Sequence, residues 1–118
     1  MRQYPPRWPV RLTASAEADI EEILRWTVDQ FGEAQARTDA QTISDALQAL
    51  ATGPAAIGVR SREDIGSGLF TLHVAREGRK GRHFVLFRTV RAGEAEVIEV
   101  LRLLHEAMDL PRHLPPAP

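Results

Sequence analysis

The sequence predicts an α+β fold in the order β-α-α-β-β-β: an N-terminal strand, a helical hairpin, then a three-stranded antiparallel meander. Three observations carry that expectation. Residues 82–89 and 96–104 are two runs rich in β-branched and aromatic side chains, separated by the turn formers Arg91-Ala92-Gly93-Glu94, as in a β-hairpin. Residues 14–50 hold two apolar stripes at three- and four-residue steps, interrupted at Gly32. Finally, the first β-run places Val85 and Phe87 on one face and Phe84 and Leu86 on the other, so both faces need cover. Packing the helical stripes on the meander satisfies both requirements.

Each element follows in order. Trp8-Pro9-Val10-Arg11-Leu12-Thr13 alternates apolar and polar residues and reads as a strand at a sheet edge, where Pro9 does no harm. Thr13 or Ser15 can cap the next helix, and Glu17 and Asp19 suit its positive end. Ala16, Ile20, Ile23, Leu24, Thr27 and Phe31 form its buried stripe. Beyond Gly32, Ala36, Ala40, Ile43, Leu47 and Leu50 form a second, narrow stripe whose alanines allow close approach. Gly53-Pro54 ends that helix. Residues 55–67 show neither period and read as a loop. Leu69–Val74 reads as a strand, and Arg76-Glu77-Gly78-Arg79-Lys80-Gly81 as a turn into the hairpin. After Leu104 the chain is expected to leave the sheet, with Met108 filling a gap in the core.

At 118 residues the chain fits one domain, with a core of about 10–114 and loose ends at 1–8 and 115–118. It has no cysteine, so thiolate metal sites and disulfides are excluded. No apolar run approaches a membrane span and the N-terminus lacks a signal-peptide core, so a cytoplasmic protein is expected. The histidines His73, His83, His105 and His113 lack helical ligand spacing, and neither a metal nor another cofactor is expected. The net charge of −1 hides an asymmetry: residues 13–50 carry a balance of −6, residues 54–91 one of +5. Such a molecule can address two partners electrostatically, though a charge run also serves simply as a solvated face.

Four stretches in this order resemble one family. They are Leu12–Ile23 (LTASAEADIEEI), Phe31–Ala36 (FGEAQA), Gly81–Arg88 (GRHFVLFR), and Val100–Asp109 (VLRLLHEAMD) with Arg112-His113-Leu114. Together they resemble the ParE branch of the RelE/ParE toxins of type II toxin–antitoxin systems. The resemblance implies a growth-arresting toxin neutralised by a cognate ParD-like antitoxin encoded beside it, with DNA gyrase as the target. It also implies an alternative, since RelE-type members of the same fold cut mRNA on the ribosome.

Cutting RNA needs a base, an acid and cations around the phosphate. The candidates for that chemistry are Arg82, Arg88, Arg102 and His105, with Arg60, Arg62, Glu63 and His83 as further possibilities. Nucleases of this type commonly use a C-terminal tyrosine and lysines, whereas here the only tyrosine is Tyr4 and the only lysine is Lys80. That departure favours a non-enzymatic inhibitor. His105 can equally serve to satisfy backbone groups where its strand ends, and Arg82 and Arg88 can pair with Glu96 or Glu99 across the hairpin. For target binding the candidates are Arg76, Arg79, Lys80 and Arg82 in the basic turn. For the antitoxin they are Ile20, Leu24, Ile43 and Leu47, wherever these are not already buried.

Overall fold

The computed structural model describes residues 7–76 and 78–107. The expectations about residues 1–6, Met108 and 115–118 lie outside them. The elements are β1 (Val10–Leu12), α1 (Ala14–Phe31), α2 (Glu33–Ala49), a 3-10 turn at Leu50–Thr52, β2 (Arg60–Ser61), β3 (Phe70–His73), β4 (His83–Ala92) and β5 (Ala95–His105). They form one five-stranded sheet in the order β1-β5-β4-β3-β2. β1 lies parallel to β5 at the edge, and the remaining pairs are antiparallel.

Thr13 is the N-cap of α1. Its hydroxyl oxygen accepts the Ala16 N–H at 3.1 Å and its O–H donates to the Leu101 carbonyl at 2.9 Å, so one side chain both starts the helix and ties it to β5. Gly32, at φ +92°, ends α1 and begins α2 without a longer loop. Where the helices meet, the buried residues are small or medium-sized: Ala16 and Thr27 from α1, and Ala36, Thr42, Ile43 and Ala46 from α2. The helical side of the sheet buries Leu72, Val74, Val85, Phe87, Ile98, Val100 and Leu103 against this hairpin, with Phe70 stacked on Phe87 at 5.5 Å. Such burial is the main stabilising term for a domain of this size.

The far side of the sheet is covered too, by the segment leading into β3: Ile65 of the expected loop, and Leu69, which the sequence places in the strand but which precedes β3, pack on Leu86 and Leu104. The loop also contributes β2, which pairs Arg60 with Thr71 and Ser61 with Phe70. Two exposed residues carry no periodicity, so no sequence pattern marks this strand.

Two further departures concern the site. Phe31, expected in the buried stripe, is 65% exposed and stands edge-on to Trp26 at 5.6 Å, because it falls in the last turn before the chain reverses at Gly32. In the hairpin, β4 continues through Ala92, so only Gly93 and Glu94 form the turn. The hairpin also carries a bulge. Phe87 pairs with Val100 but Leu86 pairs with Arg102, so Leu101 and Arg102 together oppose one residue. Strict alternation would place Arg102 where the core requires an apolar side chain. The extra residue gives that place to Leu103.

Candidate functional site

The ends of β4 and β5, the turn before β4 and the helical hairpin enclose an open groove of about 780 Å³. Its floor is apolar, made by Ile23, Ile43, Val74 and Leu103. One wall comes from the helices and carries Asp19, Glu22, Trp26, Thr27, Phe31 and Asp39. The other comes from the sheet end and carries Lys80, Gly81, Arg82, His83, Arg102 and His105.

Local chemistry holds both walls. Asp19 accepts hydrogen bonds from Arg102 Nε at 2.7 Å, Arg102 Nη2 at 2.9 Å and the Leu103 backbone N–H at 2.9 Å, joining α1 to the bulge of β5. Asp39 receives Gln35 Nε2 at 2.9 Å, and the Thr27 hydroxyl is shared between Asp39 Oδ2 at 3.2 Å and the Ile23 carbonyl at 2.9 Å. Gly81 is required where it stands: a Cβ there would meet Val74 Cγ2 at 2.5 Å, so only glycine lets the turn close on the end of β3. Arg79 is drawn to Asp45 on α2 at 2.6 Å, and Arg76 Nη2 donates to the Ile57 carbonyl at 3.4 Å. Both contacts hold the basic turn against the body of the protein.

Three histidines gather at this end of the sheet. His83 and His105 are register partners with ring centroids 5.3 Å apart. Burial, and then the potential of His105, push the His83 imidazole below its usual range against the pull of Asp39. His105 Nδ1 accepts the Ala107 N–H at 3.1 Å, so it satisfies the backbone at the strand end. His73 Nδ1 accepts the Ala75 N–H at 2.9 Å, which leaves Nε2–H to donate to Glu106 Oε2 at 2.8 Å. That bond holds the Glu106 carboxyl below the usual carboxylate range.

A family model described as the ParE toxin of the type II toxin–antitoxin system parDE matches residues 10–110. The chain belongs to the ParE toxin family. Toxin ParE of Escherichia coli is 34% identical over 99 residues, covering 84% of this chain and 85% of that protein. Toxin ParE1 of Mycobacterium tuberculosis is 32% identical over 103 residues, covering 87% and 94%. Among solved structures, a chain of the chromosomal ParDE system from P. aeruginosa superimposes with a TM-score of 0.59 at 21% identity, covering 83% of this chain and 95% of that one. A YoeB/ParE toxin from Agrobacterium tumefaciens gives 0.55 at 17%, covering 82% and 97%. At these identities the two structures establish the shared fold.

Within this ParE fold the residues singled out from the sequence divide. Arg82, Arg102 and His105 line one groove, while Arg88 lies on the opposite face of the sheet, paired with Glu99 at 2.8 Å. Of the basic turn, Lys80 and Arg82 stand exposed on the groove rim, whereas Arg76 and the likewise exposed Arg79 lie outside the lining, engaged with Ile57 and Asp45. Ile43 is only 5% exposed, and Ile20 and Leu47 pack against the core. Leu24 is half-buried. The apolar surface that α1 offers is instead Trp26, 58% exposed, with Phe31. Sequence reasoning passed over Trp26 because it lies off the buried stripe; a tryptophan in that position, four residues after Glu22, is the signal that could have found it. Among the described residues no helix is long and apolar enough to cross a membrane.

Proposed function

We propose that this ParE-family toxin arrests growth by binding DNA gyrase, without a covalent step of its own, and that a ParD-like antitoxin neutralises it by seating a helix in the groove between the helical hairpin and the sheet end. The observation that carries this reading is the groove itself: an apolar floor flanked by an exposed tryptophan–phenylalanine pair, in a chain whose relatives are named ParE toxins. An amphipathic helix buries its apolar face in such a groove. An antitoxin seated there also covers Lys80 and Arg82, the exposed cations proposed to address the target together with Arg76 and Arg79. Neutralisation is then occlusion.

The test has two parts. Co-expression with the product of the neighbouring gene is expected to give a stable complex, and purified toxin is expected to abolish supercoiling by gyrase until that product is added. Severed transcripts in a translating extract, with supercoiling untouched, would replace this reading with ribosome-dependent RNA cleavage.

A further inference from the structure

The two walls of the groove differ in sign. On the helical side Glu22 is exposed one turn before Trp26, and Asp39 adds a second carboxylate across the hairpin. On the sheet side Lys80 and Arg82 are exposed, with the imidazoles of His83 and His105 beside them. Between these walls the floor is apolar. Trp26 and Phe31 meet edge to face, which holds the indole in place at the rim with much of its surface open to solvent. An indole face beside carboxylates is a seat for a cation, where the ring quadrupole and the negative charge act together.

We propose that the groove reads its antitoxin helix by charge: a lysine or arginine on one flank of the helix lies over Trp26 beside Glu22, and a glutamate or aspartate on the other flank reaches Lys80 and Arg82. This rests on the antitoxin reading above and adds the chemistry of the occupant. A helix with apolar residues at the a and d positions of a heptad carries its e and g residues on opposite flanks, so one basic and one acidic flank matches the two walls. Like charges placed against either wall are rejected, and that is how the groove discriminates among partners of equal hydrophobicity.

The test uses three helical peptides with the same leucine a/d stripe and different flanks: lysine on one and glutamate on the other, lysine on both, or glutamate on both. Trp26 fluorescence in a Trp8→Phe background reports binding. The mixed peptide is expected to bind the parent protein roughly fivefold tighter than either single-sign peptide. Glu22→Lys combined with Asp39→Asn is expected to move the preference to the all-glutamate peptide, and Lys80→Glu combined with Arg82→Glu to the all-lysine peptide. Joining the two reversals in one variant is expected to restore preference for the mixed one, because exchanging the signs of the walls only reverses the direction of the helix. Trp26→Leu, followed by calorimetry, is expected to weaken the lysine-bearing peptides alone.

Equal affinities for the three peptides, or preferences that ignore the reversals, overturn the proposal even where the natural antitoxin forms its complex. So does a groove already filled by a second copy of the chain, seen as a dimer that no peptide dissociates, or by residues 108–118, seen as peptide binding only after their removal. Failure of the natural antitoxin to bind at all falls instead on the functional reading beneath it.

Discussion

Asp19 of α1 and Arg102 of β5 form a two-pronged ion pair across 83 residues of sequence, at 2.7 and 2.9 Å, and the same carboxylate accepts the Leu103 N–H. The pair is mostly shielded from solvent, with side-chain exposures of 13% for Asp19 and 26% for Arg102. It exists because the bulge gives Leu103 the core position and lets the guanidinium reach the helix. Asp19→Ala removes three acceptor contacts at once and is expected to cost about 2 kcal/mol, or roughly 10 °C in melting temperature. Asp19→Asn is expected to fall between the two. Thermal melts followed by circular dichroism measure both.

Gly81 sets a second expectation. An added methyl group must displace the Val74 side chain, which is 2% exposed and packed into the core. Gly81→Ala is expected to destabilise by about 1–3 kcal/mol. Combined with Val74→Ala, the loss should be smaller than the sum of the two single losses, because the cavity accepts the methyl group. A denaturant double-mutant cycle reads that coupling, and strict additivity would show that the close approach is not what glycine secures.

On the far face of the sheet, Glu99 accepts hydrogen bonds from Arg88 Nε at 2.9 Å and Arg11 Nη2 at 3.1 Å. Burial alone would lift its pKa, but the two guanidinium groups outweigh burial and hold the carboxyl below the usual range. A carboxylate depressed in the folded state stabilises the protein above its unfolded pKa of about 4.3, and this contribution is lost as pH falls through the folded value. Glu99→Gln is therefore expected to be about 1 kcal/mol less stable than the parent at neutral pH, with the difference closing as the solution is acidified below pH 4. Urea melts at several pH values check the sign. A gap that widens in acid would contradict it.

The proposed target surface separates the arginines by position. Reversing both rim charges, Lys80→Glu with Arg82→Glu, is expected to raise the toxin concentration needed to inhibit supercoiling by at least about tenfold. Arg88→Ala, on the opposite face, is expected to leave inhibition within about twofold of the parent once matched for folded fraction. Equal losses in both would remove the basic rim from the target interface.

Much of the architecture was legible because it is written in short-range patterns. The stripes of α1 and α2, the cap at Thr13, the edge position of β1 beside Pro9 and the hairpin all depend on residues within a few positions of one another. What escaped depends on distant partners. The bulge at Leu101 and Arg102 answers to Asp19, and β2 is a strand only because β3 lies next to it. Three of the residues lining the groove, Arg82, Arg102 and His105, were visible as chemistry without a location. The exposed aromatic pair was hidden for the opposite reason: Phe31 continues an apolar stripe in the sequence, and only the reversal at Gly32 shows that it stands exposed among the described residues.

The parallel pairing of β1 with β5 also governs how the toxin is made. Arg11 and Glu99 are neighbours in the sheet and 88 residues apart in the chain, and α1 is bolted to the same last strand through Thr13 and Asp19. A nascent chain emerging from the ribosome therefore holds its helical hairpin without the strand that Thr13 and Asp19 grip until β5 is synthesised. No shorter intermediate holds both walls of the groove, so the surface proposed to seat the antitoxin is completed only when β5 joins the fold.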